Sequence, residues 1–264
     1  MVTNKIDRKL SQLKQNNRHG VMAHIVIGYP NLPASEKIIL SLAEAGADLI
    51  ELQIPFTDPL ADGPTILKAN LDALRNGIKV ADCFRFAEKM ASRLADIPLL
   101  FMTYINIPFN YGLENFCRDS SAAGLTGLIV PDIPPDEKDE PYHDLCLAHN
   151  LHPIYILSPS STQERMKVIG HYASGVVYCT ARVGTTGARE SRIAGLKDFM
   201  ASVRKYVKVP LALGFGISSR EHVQTVRELA EISVVGSKVI DIYNSGQSEQ
   251  ESLEKVSSFV HSLR

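Results

Sequence analysis

Glu51 lies in the middle of an apolar run, Leu49-Ile-Glu-Leu-Gln-Ile54. An acid inside a buried strand costs several kcal/mol unless it is paired or functional. Pro55, Pro59 and Pro64 then fix the backbone into a rigid loop that carries Asp58 and Asp62, before a helix opens at Pro64. Two carboxylates, Glu51 and Asp62, at the carboxyl end of one strand suit general acid–base chemistry. The plainer explanation of Glu51, an ion pair with a lysine or arginine on a neighbouring strand, has little support, because those strands carry almost no basic residues.

The elements that hold these acids follow from periodicity. Ile6, Leu10 and Leu13 recur at helical spacing, which predicts an amphipathic helix over about 3–16 laid on the body. Apolar strands are expected at 22–27, 48–54, 98–104, 126–130, 152–157, 175–180, 209–213 and 232–236. Helices are expected at about 34–45, 64–76, 80–95, 112–122, 136–148, 162–171, 194–206, 219–229 and 249–263. Eight short strands separated by helices imply right-handed parallel crossovers, and the length suits a closed (β/α)8 TIM barrel with an extra N-terminal helix, as a single domain over 1–264. A doubly wound open sheet is the alternative. Against it, Gly28-Tyr-Pro-Asn-Leu-Pro33 has one glycine where a dinucleotide turn needs three.

Composition narrows the partners. The formal net charge is −1, so nothing suggests a nucleic-acid groove or an anionic membrane surface, and a small substrate is expected. No apolar run is long enough to span a membrane, and the first ten residues lack a secretion signal, which reads as cytoplasmic. Cys83, Cys117, Cys146 and Cys179 are widely spaced without a CxxC pair, so buried free thiols are expected, with no metal site.

Barrel chemistry gathers at the carboxyl ends of strands. Gly214-Phe-Gly-Ile-Ser218 follows the seventh strand and Gly236-Ser237 the eighth, where glycines let backbone N–H groups approach a phosphate. The Gly-Phe-Gly sequence reads equally well as a tight strand-to-helix turn, and Lys238 is more often simply solvated. The segment Ala181-Arg-Val-Gly-Thr-Thr-Gly-Ala-Arg-Glu190 is glycine-hinged like a mobile lid, and nearly as well explained as a disordered loop.

These motifs carry a resemblance. Glu51-Leu-Gln-Ile-Pro-Phe-Thr-Asp-Pro-Leu-Ala-Asp-Gly-Pro64, with Val130-Pro-Asp-Ile-Pro-Pro135, Gly184-Thr-Thr-Gly-Ala188 and Gly214-Phe-Gly-Ile217, closely resembles the tryptophan synthase alpha chain family, essentially end to end. The resemblance implies a lyase that cleaves indole-3-glycerol phosphate to indole and glyceraldehyde 3-phosphate in tryptophan biosynthesis. It implies no cofactor in this chain. It also implies a beta-chain partner, pyridoxal-phosphate dependent, in an alpha2-beta2 heterotetramer. Glu51 and Asp62 match the family's catalytic acids. His24, Tyr104, Tyr178, Thr186, Gly187, Phe215 and Val234 match substrate-lining or lid positions. Gly214, Gly216, Gly236 and Ser237 match the phosphate pocket. Asp58 and Asp132 match acids on the face towards the partner.

The chain also departs from the family. Gln53 stands where glycine is usual, on the same side of the strand as Glu51. His24 replaces an aromatic residue on the strand that walls the indole pocket, where it could stack on the ring or be hydrogen-bonded within the wall. Thr185 stands where valine is commoner. A competing reading is therefore a catalytically weak alpha-like chain that mainly binds and activates its beta partner. A phosphosugar isomerase on the same barrel lacks support of its own.

Overall fold

The computed structural model describes residues 4–59, 62–138, 140–181, 189–214 and 216–264. Among them, nine strands pair in parallel: β1 Gly20–Val26, β2 Leu49–Gln53, β3 Leu99–Met102, β4 Gly127–Ile129, β5 His152–Ile154, β6 Ile156–Leu157, β7 Val177–Thr180, β8 Leu211–Gly214 and β9 Ile232–Val235. Their order in the sheet is β5-β4-β3-β2-β1-β9-β8-β7-β6. The expected strand over 152–157 is therefore present as two pieces, broken at Tyr155. Since β5 pairs with β4 and β6 with β7, one extended segment supplies both edges and brings the sheet round into a nearly closed barrel. The Tyr178 amide, donating to the Tyr155 carbonyl at 2.9 Å, bridges the break.

Helices α1 Lys5–Gln15, α2 Leu32–Glu44, α3 Pro64–Arg75, α4 Val80–Arg93, α5 Asn106–Tyr111, α6 Leu113–Ala122, α7 Tyr142–Ala148, α8 Gln163–Tyr172, α9 Arg189–Tyr206, α10 Arg220–Arg227, α11 Ser237–Asn244 and α12 Glu249–Ser262 accompany the strands. The helix expected from 136 begins only at Tyr142, because Pro141 disfavours helical backbone in the residue before it. Two short helices, α5 and α11, were not anticipated.

Alternation along the strands makes two cores. Ile50 and Leu52 of β2 point outward, into the layer shared with the helices. Met22, Leu49, Leu100, Ile129, Ile154, Val176, Ala212 and Ile232 fill the interior. The amino end of that interior is stoppered by α1, whose Ile6 is buried in it. Asn4 caps the helix by accepting from the Ile6 amide at 2.8 Å, and its own amide donates to the Thr126 and Asn150 carbonyls at 2.9 and 2.8 Å. With that end sealed, the carboxyl ends of the strands are left as the mouth. All four cysteines are free and buried, as their spacing suggested.

Candidate active site

Glu51 projects inward from β2, and its register partner on β1 is His24. Glu51 Oε1 lies 3.0 Å from His24 Nδ1, and the two side chains are 4% and 6% exposed. Glu51 does have a partner on a neighbouring strand, but it is a histidine, where only lysine and arginine were sought. Burial pushes the His24 imidazole down, but the Glu51 carboxylate, the hydrogen bond to it, Asp62 and the Gln53 amide outweigh that and hold it above the usual histidine range.

Two residues further along β2, Gln53 is fully buried, and its amide donates to Asp62 Oδ2 at 2.6 Å. Because a carboxylate can only accept, this contact fixes which end of the amide is nitrogen. Asp62 stands on the loop after β2, where its amide donates to the Pro59 carbonyl at 3.0 Å. Further back the loop is pinned by Asn70 of α3, which accepts from the Phe56 amide at 3.0 Å. Three buried polar atoms on the β1–β2 wall have no protein partner: His24 Nε2, Glu51 Oε2 and Gln53 Oε1. Leaving such an atom unpaired costs about 1–3 kcal/mol, so Glu51 Oε2, which has no complementary donor beside it, marks a place built to receive a polar group.

The other expected residues spread around this wall. Tyr104 is buried at the end of β3 and stacks on Phe56, ring centroids 5.0 Å apart, a contact the sequence reading missed. Tyr178 projects from β7, and burial, Glu51 and Asp62 together push its phenol far above the usual tyrosine range, so it is a neutral hydroxyl. A Cβ at Gly214 would stand 3.3 Å from the Tyr178 hydroxyl, so the missing side chain makes room for that phenol. Val234 is in the interior cluster. Gly236 and Ser237 open α11, whose first turn has no side-chain cap, and a Cβ at Gly236 would lie 3.4 Å from that of His24. Gly216 has φ +61° and open space around its Cα.

Thr185, Thr186, Gly187 and Phe215 lie outside the described residues. Asp58 is exposed and takes a hydrogen bond from Thr57 at 2.6 Å. Asp132 accepts from the Ile105 amide at 2.9 Å, ahead of α5. No group of three or more His, Cys, Asp or Glu side chains among the described residues converges as a metal site requires. A cleft of about 630 Å³ lies at the opposite end, beside α1, and its arginines are committed elsewhere: Arg18 to Asp48, Arg204 to Glu231 and Arg227 to the Asn17 carbonyl.

Together the wall offers two carboxylates, a raised imidazole, a neutral phenol and uncapped helix N–H groups at one mouth. The model of a family described as "Tryptophan synthase alpha chain" matches residues 10–264. The alpha chain of Syntrophotalea carbinolica is 46% identical, over 92% of this chain and 94% of the relative. That of Desulfotalea psychrophila is 42% identical over 98% and 99%. Among solved structures, tryptophan synthase subunit alpha from Legionella pneumophila superposes with a TM-score of 0.89 at 29% identity, covering 99% of this chain and 97% of the other. An aminoacrylate-bound tryptophan synthase from M. tuberculosis gives 0.87 at 30%, covering 99% and 98%. With the family match running through nearly the whole chain and the relatives this close, the chain belongs to the tryptophan synthase alpha chain family.

Proposed function

We infer that this chain is the lyase that cleaves indole-3-glycerol phosphate to indole and glyceraldehyde 3-phosphate, with Glu51 and Asp62 as its acid–base groups. What carries the reading is one combination: a family match over residues 10–264, and both carboxylates linked into the same wall of the barrel mouth.

The cleavage is a retro-aldol step. Glu51 gives a proton to indole C3, which makes the ring a cationic indolenine, and Asp62 accepts the ring N–H and stabilises that charge. Glu51 then takes the proton of the side-chain hydroxyl next to the ring. The C–C electron pair returns to the ring, the aldehyde leaves, and the enzyme ends with the proton count it began with. The ring itself is the electron sink, so the step calls for no cofactor in this chain. His24, Tyr104, Tyr178 and Val234 would line the indole pocket, with Thr186, Gly187 and Phe215 completing it. Backbone N–H groups at Gly214, Gly216, Gly236 and Ser237 would hold the phosphate, aided by the positive end of α11.

The reading places the chain in the cytoplasm beside a pyridoxal-phosphate-dependent beta chain in an alpha2-beta2 assembly, with Asp58 and Asp132 on the docking face. No helix among the described residues is long and apolar enough to cross a membrane. Steady-state cleavage of indole-3-glycerol phosphate, with and without a tryptophan synthase beta chain, is the test. Glu51→Gln and Asp62→Asn should each lower kcat by roughly 10²- to 10⁴-fold with the fold intact. Near-full activity of either variant at saturating substrate would remove that residue from the mechanism.

A further inference from the structure

We propose that His24 is a positioning residue that holds Oε1 of Glu51 so that Oε2 carries the proton delivered to the substrate, and that Gln53 aims Asp62, so that the two acids are set by one hydrogen-bonded wall. The proposal rests on the acid–base reading of Glu51 and Asp62 given above.

The geometry is specific on both sides. His24 Nδ1 holds Glu51 Oε1 at 3.0 Å, which leaves Oε2, buried and without a protein partner, as the oxygen available to substrate. Gln53 holds Asp62 Oδ2 at 2.6 Å and keeps its own Oε1 unpartnered. His24 Nε2 is the third unpartnered buried atom. An N–H there is the natural complement of the Gln53 carbonyl, and the Gln53 amide already acts on the imidazole.

The charged and titratable groups facing His24 are Glu51 from β2 and Asp62 from the loop after it. The phenol of Tyr178, from β7, faces the same two acids and stays neutral. From the start of α11 the neighbour is Gly236, and β9, paired to β1, carries no charged residue.

The two oxygens of Glu51 therefore have separate tasks, Oε1 held by His24 and Oε2 turned to the substrate. In the cleavage the Glu51 Oε2–H bond breaks as C3–H forms. The substrate O–H bond then breaks as Oε2–H forms again. The His24 Nδ1–H stays on Oε1 throughout, so no net proton is gained or lost.

Without a donor at position 24 the Glu51 carboxyl is free to turn away from the substrate, which lowers turnover more than binding. His24→Gln preserves a donor of similar reach but cannot titrate. It should lower kcat for indole-3-glycerol phosphate by no more than about fivefold, because the donor to Oε1 is kept. His24→Phe, close to histidine in shape but without a donor, should lower kcat at least thirtyfold with KM within threefold, a gap from the glutamine variant that a merely space-filling residue would not show. Gln53→Leu should lower kcat at least fivefold with KM within twofold. Equal kcat in folded His24→Gln and His24→Phe would overturn the role of His24, and an unchanged kcat in Gln53→Leu that of Gln53. Glu51→Gln run alongside separates the two levels: if it stays active the acid–base reading itself has failed, whereas if it is inactive and the two His24 variants turn over equally only the positioning role has.

Discussion

The His24–Glu51 contact makes an asymmetric prediction about stability. At 3.0 Å, in a medium of effective dielectric 20, two unit charges attract by about 5.5 kcal/mol before desolvation is subtracted. Desolvation removes most of that, so the intact pair adds little on balance, yet breaking it is expensive when a charge is stranded. Glu51→Gln strands nothing: with the carboxylate gone, burial makes the imidazole give up its proton, and the loss should be about 1–2 kcal/mol, near that of one hydrogen bond to a charged group. His24→Phe instead leaves the Glu51 carboxylate walled in with no cation beside it, and should cost about 3–5 kcal/mol. The double variant removes both charges and should fall back to about 1–2 kcal/mol, a coupling of roughly 4 kcal/mol. Urea unfolding of the four proteins at pH 7 measures this. The pH dependence is fixed in sign. The folded-state value of His24 is raised above 6.5, so its contribution is complete below that pH and is lost as pH rises through the raised value. The gap between wild type and Glu51→Gln should therefore narrow on the alkaline side. Additive single variants, or a gap that does not change with pH, would refute the charged pair.

Three further outcomes follow from positions described above. Asn4→Ala removes a cap and both bonds to the Thr126 and Asn150 carbonyls, so it should destabilise by about 2–4 kcal/mol in urea while kcat is unchanged. Gly214→Ala brings a methyl within 3.3 Å of the Tyr178 hydroxyl, and should raise KM for indole-3-glycerol phosphate about tenfold with a loss of stability near 1 kcal/mol, read by steady-state kinetics and urea midpoints. Burial and Arg227, partly offset by Glu231, depress His19 to about 4, where its Nε2 lies 2.8 Å from Ser233 Oγ. The unfolded chain binds that proton first, so stability should fall as pH drops from 6.5 towards 4, and His19→Gln should flatten that slope in thermal melts.

The strands were readable because each is a short apolar run with a turn residue at its end, and the stopper helix because Ile6, Leu10 and Leu13 share a face. The break at Tyr155 was not, since 152–157 is uniformly extended in character and only closure of the sheet decides which half pairs with which neighbour. The helices α5 and α11 are too short for a period to show, and α5 contains Pro108 besides. At the site, Glu51 announced itself as an acid among aliphatic residues. Its partner could have been found, since β1 and β2 are consecutive and both His24 and Glu51 fall on inward positions, but histidine was weighed as a wall residue and not as a counter-ion. The bond from Gln53 to Asp62 was beyond reach. It depends on how the proline-braced loop folds back over its own strand, which no local pattern encodes.

That loop has a consequence for regulation. Its described parts are stiffened by Pro55, Pro59 and Pro64, pinned to α3 through Asn70, and tied to the barrel wall through Asp62. Exposed Asp58 and Asp62 therefore stand on the same loop, and a protein seated against the first would displace or steady the second. Linkage makes the effect mutual: whatever factor a docked partner applies to substrate affinity, bound substrate must apply to the partner. A partner docked on Asp58 would sense through this loop whether the mouth is filled.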